Sequence, residues 1–181
     1  MRIPTKPKTA TASFRVDKSA LDALHEDAKM QNVSVNTMLN QLLLTYANYD
    51  RPMKRFQVIK LPASTFRHIL QGAQDETLAE AGNSAGSDVP RTYIVAKRGK
   101  LTVDNCLDYL RTMSTHAKLF DYSEVLNDGT FSVTMSHNFG AKGTLFLQHY
   151  VRSIFEPLGK ELKFSFDDNA VVFEMRVAGP V

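Results

Sequence analysis

Thr11-Ala-Ser-Phe-Arg-Val16 leads directly into Asp17-Lys-Ser-Ala-Leu-Asp-Ala-Leu-His-Glu-Asp-Ala28 and, past Asn32-Val33, into Ser34-Val-Asn-Thr-Met-Leu-Asn-Gln-Leu-Leu-Leu-Thr-Tyr46. Positions 11, 13 and 15 are polar and 12, 14 and 16 apolar, the period-two pattern of a strand buried on one face. Asp17 is placed to cap a helix, in which Leu21, Leu24 and Ala28 form one apolar stripe with Ala20 and Ala23 beside it. Asn32, which tolerates the left-handed conformation, marks its end. Ser34 is placed to cap a second helix, in which Val35, Met38, Leu39, Leu42, Leu43 and Tyr46 recur at i, i+3, i+4, i+7, i+8 and i+11. Pro52 predicts that this helix stops near Tyr49 or Asp50.

Such a unit is incomplete as a single chain. A lone strand leaves its backbone donors and acceptors unpaired, and two short helices cannot enclose a core. A second copy solves both problems if the strands pair antiparallel and the four helices interlock, so a homodimer is expected.

Residues 10–49 resemble the ribbon-helix-helix family of DNA-binding proteins, the Arc/MetJ/CopG type. The match lies in element order and length, the turn at Asn32-Val33 and the Ser34-Val-Asn-Thr37 start of the second helix. The family often has proline at the start of the first helix and glycine in the turn. Asp17 and Asn32-Val33 stand there instead, both conformationally suited. The resemblance implies an intertwined dimer whose two-stranded ribbon enters the major groove of double-stranded DNA, with Thr11, Ser13 and Arg15 facing the bases. Their chemistry suits that role, since arginine donates twice to guanine O6 and N7 and the hydroxyls both donate and accept. The amino end of the second helix, around Ser34, Val35 and Asn36, is expected to anchor a phosphate. Lys6 and Lys8 add sequence-blind attraction.

Charge agrees with this division. The chain has 181 residues and a net charge of +3. Residues 1–60 carry Arg2, Lys6, Lys8, Arg15, Lys18, Lys29, Arg51, Lys54, Arg55 and Lys60 against Asp17, Asp22, Glu26, Asp27 and Asp50, a balance of +5, and the remainder is at −2. Residues 1–9, rich in Pro, Lys and Thr, read as a flexible basic arm. The single Cys106 excludes an internal disulfide framework. No apolar run approaches the roughly 20 residues of a membrane span, and the polar start lacks a signal-peptide core. A cytoplasmic, nucleoid-associated protein is expected, without membrane partners.

Residues 53–181 are long enough for an independent core. Phe56–Leu61 reads as a strand, and Phe66, Ile69 and Leu70 mark a helix after Pro62. Gly82-Asn-Ser-Ala-Gly-Ser-Asp88 reads as a loop, and 90–98 fits either strand or helix. Leu101–Leu119 reads as a helix with Leu107, Leu110, Met113 and Ala117 inward and Asp104 near its positive end. Asn127-Asp128-Gly129 signals a hairpin, with Phe131, Val133 and Met135 alternating after it. Lys142–Leu158 reads as a helix with Leu147, Tyr150, Val151, Ile154 and Phe155 on one face. Asp167-Asp168-Asn169 separates two further strands, Leu162–Phe166 and Val171–Val177. The whole predicts an α+β protein: the ribbon-helix-helix unit over 10–50, then an α+β domain with an antiparallel sheet that senses a ligand or builds oligomers.

Catalytic motifs are scarce. His25, His68, His116, His137 and His149 show no metal-ligand spacing, and no phosphate loop, dinucleotide fingerprint or G-x-S-x-G turn occurs. Neither metal nor cofactor is expected, nor an enzyme. Glu161-Leu-Lys163 matches the E-x-K of metal-dependent nucleases, but no acid is evident on a neighbouring strand. His137, Gly140 and Lys142, at a strand-to-helix passage, form a candidate site for an anion or a small polar effector. The expected function is therefore a sequence-specific transcriptional regulator such as a repressor. An antitoxin of a toxin–antitoxin pair and a DNA-partition or architectural protein are the alternatives, with a DNA-tethered metal-dependent nuclease a less favoured one.

Overall fold

The computed structural model describes residues 9–176 and has mixed α+β architecture. The chain divides after Leu44 into two compact units.

In the first unit, α1 (Lys18–Met30) begins where Asp17 Oδ1 accepts the Ser19 N–H at 2.9 Å and ends in a left-handed Asn32 at φ 54°. The Val33 N–H reaches Ala28 O and the Asn32 N–H reaches Lys29 O, a Schellman closure that absorbs two otherwise orphaned carbonyls. Ser34 Oγ then accepts the Thr37 N–H at 3.0 Å and starts α2 (Val35–Thr45). Both capping expectations and the turn residue therefore agree with the structure. Ala28 and Met38 are buried and Leu21, Leu24, Val33 and Val35 half-buried, whereas Leu39, Leu42 and Leu43 remain exposed. Residues 11–16, expected as a strand, form no ladder among the described residues and are exposed throughout. None of the strands of the sheet, whose order leaves β1 and β3 at its edges, pairs with them, so their backbone donors and acceptors are left without a ladder.

The second unit opens with a π-turn at Tyr46–Asp50, followed by α3 (Arg51–Met53) and a 3₁₀ turn at Lys54–Phe56. The helical path was expected to stop before Pro52, but it continues. The Arg51 N–H bonds to Tyr46 O in the widened turn, which places Pro52 at the start of a new helical segment where no N–H is required. The strand expected over 56–61 does not form. Gln57 is left-handed at φ 49°, and Val58, Ile59 and Leu61 are exposed with no strand beside them among the described residues.

Four helices follow: α4 (Ala63–Gly72), α5 (Asp75–Ser87), α6 (Val89–Arg98) and α7 (Val103–Thr112), the last extended by a π-turn at Met113–Ala117. The loop expected over 82–88 is instead the second half of α5, and 90–98 is helical. Leu107, Leu110 and Met113 point inward as expected, but Ala117, at the end of the widened turn, is exposed. β1 (Asp121–Asn127) and β2 (Thr130–Ser136) form the first hairpin, α8 (Gly140–Phe155) follows, and β3 (Lys163–Asp167) and β4 (Ala170–Arg176) form the second. The antiparallel sheet has the order β1-β2-β4-β3, so the later strand of each hairpin lies at its centre. Asp128 at φ 48° and Gly129 at φ 72° make the first turn, both in the left-handed region that a two-residue hairpin loop favours.

The central strands place Val133, Met135, Val171, Phe173 and Met175 in a core shared with Leu147, Val151, Ile154 and Phe155 of α8 and Leu107 and Leu110 of α7. The expected apolar face of α8 is the observed one. Cys106 is fully buried there, and burial pushes its thiol up to about 12, leaving it protonated and inert.

Candidate nucleic-acid interface

Thr11, Ser13 and Arg15 occupy alternate positions of an exposed segment. None of their side chains is engaged in a hydrogen bond or ion pair among the described residues. The nearest acid in sequence, Asp17, is committed elsewhere. Hydrogen bonds from the Ser19 hydroxyl and from the Ser19 and Ala20 amides hold its carboxyl below the usual range, keeping it charged as a helix cap. Arg15 thus presents its guanidinium fork to solvent.

At the start of α2, Ser34 Oγ takes the Thr37 N–H and shares a 2.8 Å hydrogen bond with Thr37 Oγ1. The N–H groups of Val35 and Asn36 make no hydrogen bond among the described residues, as first-turn amides do not. No acid lies in that first turn to compete with an anion for these N–H groups. Lys6 and Lys8 lie outside the described residues, as does all of the basic arm except Thr9.

The second candidate site is engaged internally at every member. Phe139 N–H donates to His137 Nδ1 at 3.2 Å, so Nε2 carries the ring proton and donates to Thr144 Oγ1 at 3.1 Å. The Thr144 hydroxyl passes the chain on to Asp167 O at 2.7 Å. Gly140, left-handed at φ 72°, spends its N–H on Asn169 Oδ1 at 3.1 Å. Lys142 is ion-paired with Asp75 and donates to Ala73 O, tying α8 to the start of α5. The three residues are close in sequence, yet their polar groups hold the strand-to-helix passage together and do not converge on a common point.

Burial holds His137 below its ordinary value of 6.5, with the Asp167 carboxylate opposing, and burial likewise lowers His116 and His149. A depressed native pKa means that the unfolded chain binds more protons over the interval beneath 6.5. Stability from these groups is therefore intact above that value and lost as pH falls below it. Thermal unfolding at about pH 7.5 and about pH 5.5 is expected to show a lower midpoint in acid, with a shallower dependence in His137→Gln. Equal slopes for the two proteins would remove His137 from this account.

The strand register sets Glu174 opposite Lys163, so an acid does stand on the strand beside Glu161-Leu-Lys163. The surrounding groove also carries Lys160 and Arg176. Among the described residues, no group of three or more His, Cys, Asp or Glu side chains could hold a metal ion, and no helix is long and apolar enough to cross a membrane. The chain matches no protein-family model and no curated protein.

Proposed function

We propose that this protein is a dimeric, sequence-specific regulator that reads double-stranded DNA with a ribbon built from residues 11–16 of two copies. The observation that carries the reading is the pairing of an unladdered, alternating segment with a capped helix–turn–helix whose apolar stripe is only half covered. Phe14, Val16, Leu39, Leu42 and Leu43 are all exposed in the single chain. A unit this small cannot reach a stable core alone, and a second copy supplies both the missing strand and the missing apolar surface. In that arrangement Thr11, Ser13 and Arg15 face base edges, the first turn of α2 at Ser34, Val35 and Asn36 takes a phosphate, and the Lys6 and Lys8 arm follows the backbone. Residues 45–176 serve as an effector-sensing or oligomerisation domain. Their own core, formed without a partner, argues against an antitoxin with a disordered toxin-binding tail.

The test is Arg15→Ala on an operator selected from random duplexes. Specific binding is expected to weaken by about 1–3 kcal/mol, with non-specific binding nearly unchanged. Equal operator affinity for the two proteins would refute readout by Arg15.

A further inference from the structure

Within the second unit, the segment 46–56 and α6 border a groove of about 280 Å³ lined by Arg51, Arg55, Phe56, Tyr93 and Lys97. That volume lies just below the roughly 300–1,000 Å³ of small-ligand sites, which suits a small ligand. Ala47 and Ala96 also line it, and their small side chains keep it open. Its charge is one-sided: three cations and no carboxylate. The side chains of Arg51 and Arg55 make no hydrogen bond or ion pair among the described residues. Lys97 Nζ donates to Tyr93 Oη at 3.0 Å and to Asn48 O at 3.3 Å, and it sits 5.3 Å from the centre of the Tyr93 ring. Those contacts leave its charge without a counter-ion and one N–H available. The Tyr93 hydroxyl donates to Asn48 O, which fixes this wall. Three like charges around one groove repel one another, and an anion relieves that cost. Two guanidinium forks fit phosphate in particular, and the half-buried Phe56 adds a flat apolar surface.

We infer that this groove binds a small ligand joining a phosphate to a flat ring, of nucleoside monophosphate size. Arg51, Arg55 and Lys97 take the phosphate, and the aromatic wall takes the ring. None of the residues lining the groove is among residues 11–36, so its occupancy is measured without DNA and fails or succeeds independently of the DNA-binding proposal.

The experiment is calorimetric titration of the full-length protein with the four ribonucleoside 5′-monophosphates, with adenosine and inorganic phosphate as separate arms. Saturable binding of at least one nucleotide is expected, with adenosine and phosphate each about tenfold weaker or more. Arg51→Ala with Arg55→Ala should weaken the nucleotide by about tenfold or more without lowering the thermal midpoint, since both side chains are exposed. Arg91→Ala, on α6 but outside the groove, should bind as the wild type does. The inference is overturned if no nucleotide saturates the protein, if the double variant binds normally, or if phosphate alone binds as tightly as the nucleotide. Arginine-dependent binding of duplex DNA in the absence of nucleotide binding would reassign these cations to a DNA backbone and also overturn it.

Discussion

Alanine at Gly86 is expected to collapse the second unit. A Cβ built there would lie 2.2 Å from Tyr150 O and 3.0 Å from Ser153 Cβ, and one at Gly82 would lie 2.5 Å from Phe146 O and 2.8 Å from His149 Cβ. These neighbours are largely the backbone of α8, which cannot swing aside as the tip of a long side chain can. The two helices therefore touch main chain to side-chain-free main chain. Between the glycines, Asn83 Oδ1 receives His149 Nδ1 at 3.2 Å and the Ser153 hydroxyl at 3.1 Å, so any separation of the helices also breaks these polar contacts. Exposed glycines in helices normally gain up to about 1 kcal/mol on becoming alanine. Here the overpacking term runs the other way, at about 3 kcal/mol or more. Gly86→Ala should lower the thermal midpoint of this unit by about 10 °C or more, and Gly82→Ala should act in the same direction. Gly72→Ala is the control, because its added Cβ meets nothing within 4 Å. A Gly86→Ala protein melting within about 2 °C of wild type would mean that the helices do not pack this closely.

That seam shows where sequence reading succeeds and where it fails. Asp17, Asn32, Ser34 and Asp128-Gly129 impose local geometry through their own side chains or backbone freedom, and each caps or turns where the pattern places it. The apolar face of α8 was equally legible, since its period survives any choice of partner. Gly82-Asn-Ser-Ala-Gly86 has the composition of a loop, and only its i, i+4 glycine spacing hints at two helices in contact. What makes it helical is the main chain of α8, far away in sequence. Pro52 misleads for a related reason, because a widened turn removes the need for its missing N–H. Charge was legible in amount and not in place. Arg51, Lys54, Arg55 and Lys60 against Asp50 contribute +3 of the +5 of residues 1–60, and all of them belong to the second unit. Convergence of Arg51 and Arg55 with Lys97 depends on how the segment 46–56 packs beside α6, which no local pattern encodes.

Aspartate at Leu42 should separate the proposed dimer and weaken the proposed operator binding together. On α2 the apolar stripe begins covered, with Val35 half-buried and Met38 buried, and ends open at Leu42, 53% exposed. Phe14, 71% exposed, and Val16 add to this surface from the segment before α1. If the second copy covers these side chains, a carboxylate at position 42 must either lose its hydration inside the interface or hold the copies apart. An unpaired buried charge is the costlier of the two, so dissociation results. Without a partner strand, residues 11–16 have no ladder to hold Arg15 at the groove, and operator affinity should fall by about a hundredfold or more. Native mass spectrometry or sedimentation at matched concentration reads the oligomeric state, and gel shifts read the DNA. The melting of the second unit should stay unchanged, because Leu42 lies outside it. Phe14→Asp should reproduce both losses from the other side of the interface, and Arg15→Ala should reproduce only the second. A Leu42→Asp protein that remains dimeric and binds the operator normally would place the self-association elsewhere and remove the physical basis for the ribbon.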